Sequence, residues 1–156
     1  VSGIIAWRLV KTRFLKHAFD GEGARLYGGR WNSAGGPVVY SSATASLAVL
    51  ELFANVQRSE LLISYSLLSC SFDEALLSEV GLDDLPSNWR GSPAPAELQA
   101  IGDDWLRSGR SAVLRVPSAV IEHESNYLLN PAHRDFKRIK RSAAEPFMFD
   151  LRLIKP

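Results

Sequence analysis

Glu51 is the only charge in a run, Thr44 to Ala54, that otherwise reads as buried helix. At helical spacing Leu47, Leu50 and Ala54 lie on or beside its face, while Val49, Leu52, Phe53 and Val56 occupy much of the remainder. An ionised carboxylate is rarely buried alone, because its desolvation is costly. Glu51 therefore either lies on the one wet stripe of a surface helix or faces a cleft where another group compensates it. Upstream, Gly28-Gly29 permits positive φ or close approach to a ligand, and Arg30 follows between Tyr27 and Trp31. As a local motif this is equally a Gly-Gly hairpin with an arginine stacked on tryptophan. Downstream, Ser118 follows a strand that stops at Pro117, and Asn126 precedes the Asn130-Pro131 turn. Ser118 can bond its own backbone, and Asn126 can bond backbone or ligand.

Particular elements must position these groups. Val38 to Tyr40 reads as a short strand that enters the Glu51 helix through Ser/Thr capping candidates. This places Tyr40 near the strand end and Glu51 about two turns into the helix. Ile4 to Val10 reads as a first strand with Arg8 exposed or pointed into a cleft, and Thr12 to His17 as a short helix or turn. Leu61 to Phe72 alternates as a long strand, Leu82 to Pro95 reads as loop broken by a short turn, and Pro146 to Leu153 reads as a closing strand. A second helix is expected over Ala96 to Gly109, with Leu98, Ile101, Trp105 and Leu106 as its buried stripe. Strands in separate stretches with few helices indicate α+β rather than regular βαβ alternation. One domain over residues 1–156 accommodates all of it.

Trp7-Arg8-Leu9, Gly29-Arg30-Trp31-Asn32, Val39-Tyr40, the helix Leu47 to Glu51, Val116-Pro117-Ser118 and Asn126 to Pro131 occur in that order. Taken together, these segments resemble the RES domain family, from about Trp7 to the closing Phe149 to Leu153. The resemblance implies an ADP-ribosyltransferase-like fold, with twisted sheets around an NAD cleft. It also implies the toxin half of a bacterial toxin–antitoxin pair, held inactive by an Xre-like antitoxin. Carried over, Arg30, Tyr40, Glu51 and Ser118 occupy the family's catalytic positions. Arg8, Gly29, Arg30, Tyr40 and Asn126 are expected to bind substrate. NAD enters as substrate, with inorganic phosphate as an optional co-substrate, and no resident cofactor is expected.

That reading gives each residue type a task. Breaking the nicotinamide–ribose bond releases a neutral leaving group and builds positive charge on the ribose, as in glycoside cleavage. A fixed carboxylate, Glu51, would stabilise that charge. The planar fork of Arg30 suits a phosphate oxygen pair. Tyr40 offers a flat face for nicotinamide stacking and a hydroxyl for orientation, and Ser118 and Asn126 can hydrogen-bond the nicotinamide amide or the ribose. Water, phosphate or a protein group can accept the ribosyl unit, and the residues do not choose among them.

The chain of 156 residues is long enough to bury about 70% of its unfolded surface. A net charge of +1 argues weakly against nucleic acid as main partner; the resemblance implies that DNA is met only indirectly, through the antitoxin. Cys70 alone cannot form an intramolecular disulfide and fits a reducing, cytoplasmic setting. No apolar run is long enough to span a bilayer, and no signal-peptide pattern is present. Gly21-Glu22-Gly23 lacks the third glycine of a dinucleotide fingerprint, and His17, His123, His133 and Cys70 are too scattered for a metal site. Arg134, Lys137, Arg138, Lys140 and Arg141 form the one basic cluster. It suits a solvated face, an acidic antitoxin surface or a phosphate-bearing ligand. An RNA-binding or ribonuclease toxin is the alternative from another class, and a non-catalytic binding module is a third.

Overall fold

The computed structural model describes residues 3–154. Eight strands form one sheet: β1 (Gly3–Lys11), β2 (Val39–Ser42), β3 (Tyr65–Asp73), β4 (Leu77–Glu79), β5 (Val113–Pro117), β6 (Ser125–Leu129), β7 (Lys140–Arg141) and β8 (Glu145–Phe147). Their order is β4-β5-β6-β2-β1-β3-β7, with β8 also pairing β3. Only β4–β5 is parallel. Three helices, α1 (Glu22–Tyr27), α2 (Ala45–Asn55) and α3 (Ala96–Ser108), complete the α+β architecture. None is long and apolar enough to cross a membrane.

The two sides of the sheet carry separate cores. Val113, Tyr127 and Leu129 pack with Ala6, Val10, Cys70 and Phe72 on one face. Leu114, Val116 and Leu128 pack with Trp31, Trp89, Leu98 and Trp105 on the other. Strands β5 and β6 are thus covered on both faces, which explains the consecutive apolar pairs Val113-Leu114 and Leu128-Leu129.

The sheet is weakest at its centre. Strand β1 pairs β3 over nine residues, yet β1 and β2 pair only at Trp7 and Ser42. The two strands part beyond that point, and a split opens in the middle of the sheet.

Several elements differ from the sequence expectation. Leu61 and Leu62 belong to a 3-10 turn rather than a strand, because Gln57 and Glu60 form a reciprocal capping box that starts a helical turn there. The closing segment pairs only over Glu145–Phe147. Asp150 then accepts the backbone N–H of Arg152 and folds Leu151–Ile154 into a 3-10 turn. Helix α2 is less buried than its apolar sequence suggests: Leu47 and Ala48 are buried, but Leu50 is 41% exposed. Its N-terminus is capped as expected, the Thr44 hydroxyl accepting from Leu47 N–H at 3.0 Å. Helix α1 and strand β4 carried no clear signal, being six and three residues long.

Candidate active site

A cleft of about 380 Å³ occupies the split. Trp7, Arg8 and Leu9 of β1 and Tyr40 to Ser42 of β2 bound it, and Ala48, Glu51, Leu52 and Asn55 of α2 flank it. Those α2 positions are spaced i, i+3, i+4 and i+7, one face of a helix. The turn Gly28 to Trp31, together with Ala119 and Asn126, supplies the remaining wall.

Glu51 is half-buried and faces this cleft. Its compensation is specific. Ser118 Oγ donates to Glu51 Oε2 at 2.9 Å, and Asn126 Nδ2 donates to the same oxygen. Ser118 Oγ in turn accepts the N–H groups of Val120 and Ile121 at 3.1 and 3.0 Å. Asn126 Oδ1 accepts from Ser42 Oγ at 2.8 Å. One carboxylate oxygen is thereby fixed by two neutral donors, and Oε1 has no protein donor among the described residues.

This geometry revises the part expected of Ser118. The side chain is completely buried and does not line the cleft. Its proton is committed to Glu51 and its lone pairs to the backbone, so it fixes the carboxylate and has no free polar atom to offer the cleft. Replacing it leaves Glu51 with one donor and two N–H groups without an acceptor. Ser118→Ala is expected to lower turnover about tenfold with little change in KM, a loss typical of one charge-assisted hydrogen bond. Steady-state kinetics on the folded variant checks this.

Arg8 crosses the gap where the β1–β2 ladder is missing, its Nη1 donating to Tyr40 O at 2.6 Å. Its Nε is buried without a partner. Part of the side chain reaches the cleft, but the guanidinium is largely withdrawn from water, and burial lowers its pKa to about 10. It remains cationic at neutral pH.

Arg30 does not stack on Trp31, since the indole turns inward and is 2% exposed. Instead Arg30 Nη1 donates to Trp89 O and Gly91 O at 3.1 and 3.0 Å. Its Nε and Nη2 have no protein acceptor among the described residues and remain as a free fork at the cleft wall.

Tyr40 lines the cleft, but its hydroxyl is occupied. It donates to Asn32 Oδ1 at 2.6 Å and accepts from Trp31 N–H at 3.0 Å. Burial raises its pKa, so the phenol stays neutral. Its hydroxyl braces the Arg30 turn, so what Tyr40 offers the cleft is its ring.

Gly29 is where the turn approaches β2 most closely: a Cβ there would lie 2.6 Å from Tyr40 Oη. Gly28, at φ +73°, ends α1 in a conformation that favours glycine.

Three residues holding this turn were not singled out in the sequence, and they share one face of α3. Gln99 Nε2 donates to Gly29 O and Asn32 O at 3.0 and 3.2 Å, bracketing Arg30. Asp103 accepts Ser33 N–H at 2.9 Å. Between them, a Cβ on Gly102 would sit 1.6 Å from Trp31 O. A glycine inside an otherwise helical pattern was the one available signal. Gly102→Ala is expected to cost about 2–3 kcal/mol or more through overpacking, read as a lowered midpoint in denaturant. An unchanged midpoint would mean that the turn can move away.

The described residues contain no group of three or more His, Cys, Asp or Glu able to hold a metal. None of Arg134 to Arg141 lines the cleft. Arg141 lies over the rings of Phe19 and Phe136, and Arg138 stands 3.9 Å from Asp135.

The RES domain family model matches residues 5–150. The chain belongs to the RES domain family. Toxin Res of Photorhabdus laumondii is 40% identical over 154 residues, covering 97% of this chain and 98% of that protein. Toxin Res of Yersinia enterocolitica is 38% identical, covering 96% and 99%. A Prs ADP-ribosylating toxin of Sphingobium sp. is 32% identical over 154 residues, covering 96% of each. With whole-length relatives of this kind, the RES domain described here falls in the toxin class. Among solved structures it matches a chain of the M. tuberculosis MbcT–MbcA toxin–antitoxin complex with a TM-score of 0.76. That match has 15% identity and covers 94% of this chain and 85% of the other. The shared feature is the fold, a single α+β domain as expected from the sequence.

Proposed function

We propose that this RES domain is the toxin of a toxin–antitoxin pair and acts by breaking the nicotinamide–ribose bond of NAD. The observation that carries the proposal is the Glu51 carboxylate, fixed by Ser118 and Asn126 at a cleft that also holds two arginines. As the bond breaks, its electron pair leaves with neutral nicotinamide and the ribose carbon becomes cationic. Glu51 Oε1, not bound by the protein, would stabilise that charge. The free fork of Arg30 suits the pyrophosphate, and Arg8 adds positive charge at the floor of the split.

The ribosyl cation must be captured by water, phosphate or a protein group. The name of the Sphingobium relative, an ADP-ribosylating toxin, favours considering transfer to a protein alongside NAD breakdown. The products separate the three. Partner-free protein is incubated with NAD, with and without phosphate, and products are weighed by mass spectrometry. Free ADP-ribose indicates water, a phosphorylated ADP-ribose indicates phosphate, and a protein-linked adduct indicates transferase activity. No nicotinamide under any condition would overturn the reading.

An enzyme that drains NAD must be held inactive in its own cell. The family resemblance supplies an Xre-like antitoxin as the inhibitor, and the matched chain comes from a toxin–antitoxin complex. A carboxylate from such a partner could imitate a phosphate at Arg30. Antitoxin and NAD should then compete; a stable complex that still cleaves NAD at full rate would reject blocking of the cleft.

A further inference from the structure

We propose that Trp7 is the stacking platform for the nicotinamide ring, a binding role that rests on the NAD reading and specifies one subsite within it. The chain has four tryptophans. Trp31, Trp89 and Trp105 are buried together in one hydrophobic core. Trp7 belongs to none of the three core clusters and to no aromatic pair among the described residues. It is half-buried and lines the cleft. A large aromatic surface left outside every core while its neighbours Ala6 and Leu9 pack into cores is poorly explained by stability alone.

Its position names the ligand. Trp7 stands at the single pairing point of β1 and β2, opposite Ser42. Ser42 Oγ bonds Asn126, which bonds Glu51, so Trp7 lies at the closed end of the split beside the carboxylate relay. The group bonded to the ribose carbon that Glu51 serves is the nicotinamide ring. In NAD that ring is a planar cation, and an indole face attracts a planar cation more strongly than the other aromatic side chains do. Cleavage turns the ring into a neutral amide and weakens that attraction, which assists product release. Tyr40 stands on the other strand of the split, with its hydroxyl tied to Asn32 and Trp31.

The test uses the Glu51→Gln protein, in which bound NAD should persist, with NAD and ADP-ribose as probes. Adding Trp7→Ala should weaken NAD binding about tenfold by calorimetry and leave ADP-ribose, which lacks the nicotinamide, nearly unaffected. NAD should also quench tryptophan fluorescence, and Trp7→Phe should keep most of the affinity while removing that quench. Equal losses for NAD and ADP-ribose would overturn the assignment, because the ring on Trp7 would then be adenine or none. Unchanged affinity in Trp7→Ala, with the quench intact in Trp7→Phe, would overturn it as well. If Glu51→Gln alone binds ADP-ribose but no NAD, the Trp7 assignment fails; if it binds neither, the NAD reading itself fails and this inference with it.

Discussion

Glu51→Gln is expected to lower NAD turnover by roughly 10²-fold or more, about 3 kcal/mol, while the protein stays folded. The structure explains why the fold should survive. Ser118 and Asn126 both donate to the same carboxylate oxygen, and an amide oxygen placed there accepts from both. What changes is the outward atom, where a carboxylate oxygen becomes an amide NH₂ facing the cleft. That substitution removes the negative charge at the point where the ribosyl cation develops. Binding of NAD draws little on this group, so kcat should fall and KM should change far less. A folded Glu51→Gln protein with near-normal cleavage would remove Glu51 from the chemistry.

Arg30→Ala is expected to weaken NAD binding by about ten- to a hundredfold, the range for hydrogen bonds to a charged group. Arg30 Nη1 is engaged by the carbonyls of Trp89 and Gly91, which leaves Nε and Nη2 as the pair that a phosphate would meet. Arg30→Lys keeps the charge but cannot present two parallel donors, so its affinity should lie between Arg30→Ala and the parent. Both variants also release the Trp89 to Gly91 segment, and a small drop in Tm should accompany them. If both bind NAD like the parent by calorimetry, Arg30 serves that segment alone.

The residues that matter were legible in the sequence wherever they broke a local pattern. Glu51 stood out as a charge in an apolar helix, and Gly28-Gly29 as a turn before an arginine. Other features were opaque for physical reasons. Whether Ser118 touches a ligand or a neighbouring side chain depends on its depth, and a serine after a proline-ended strand reads the same either way. Gln99 and Asp103, which hold the turn, come from the polar side of α3, which in sequence looks like an ordinary solvated face; only Gly102, buried beside Leu98 and Trp105, gave a signal there. The buried stripe of that helix, with Leu98 and Trp105 fully enclosed, was legible because its period is local. The split itself could not be read. It arises because β1 and β2 pair at one position only, a property of strand geometry rather than composition. Pro146 to Leu153 misled because apolar residues there pack as a patch around Phe149 without continuing the ladder.

The central claim is that NAD occupies the split between β1 and β2 with its nicotinamide ribose at Glu51. The most direct measurement is a crystal structure of the Glu51→Gln protein, freed of any partner and soaked with NAD. The account predicts density in the cleft, with the nicotinamide ribose within hydrogen-bond reach of residue 51 and a phosphate oxygen on the Nε and Nη2 of Arg30. NAD bound elsewhere on the surface, or in the cleft with its adenosine at residue 51, would contradict it.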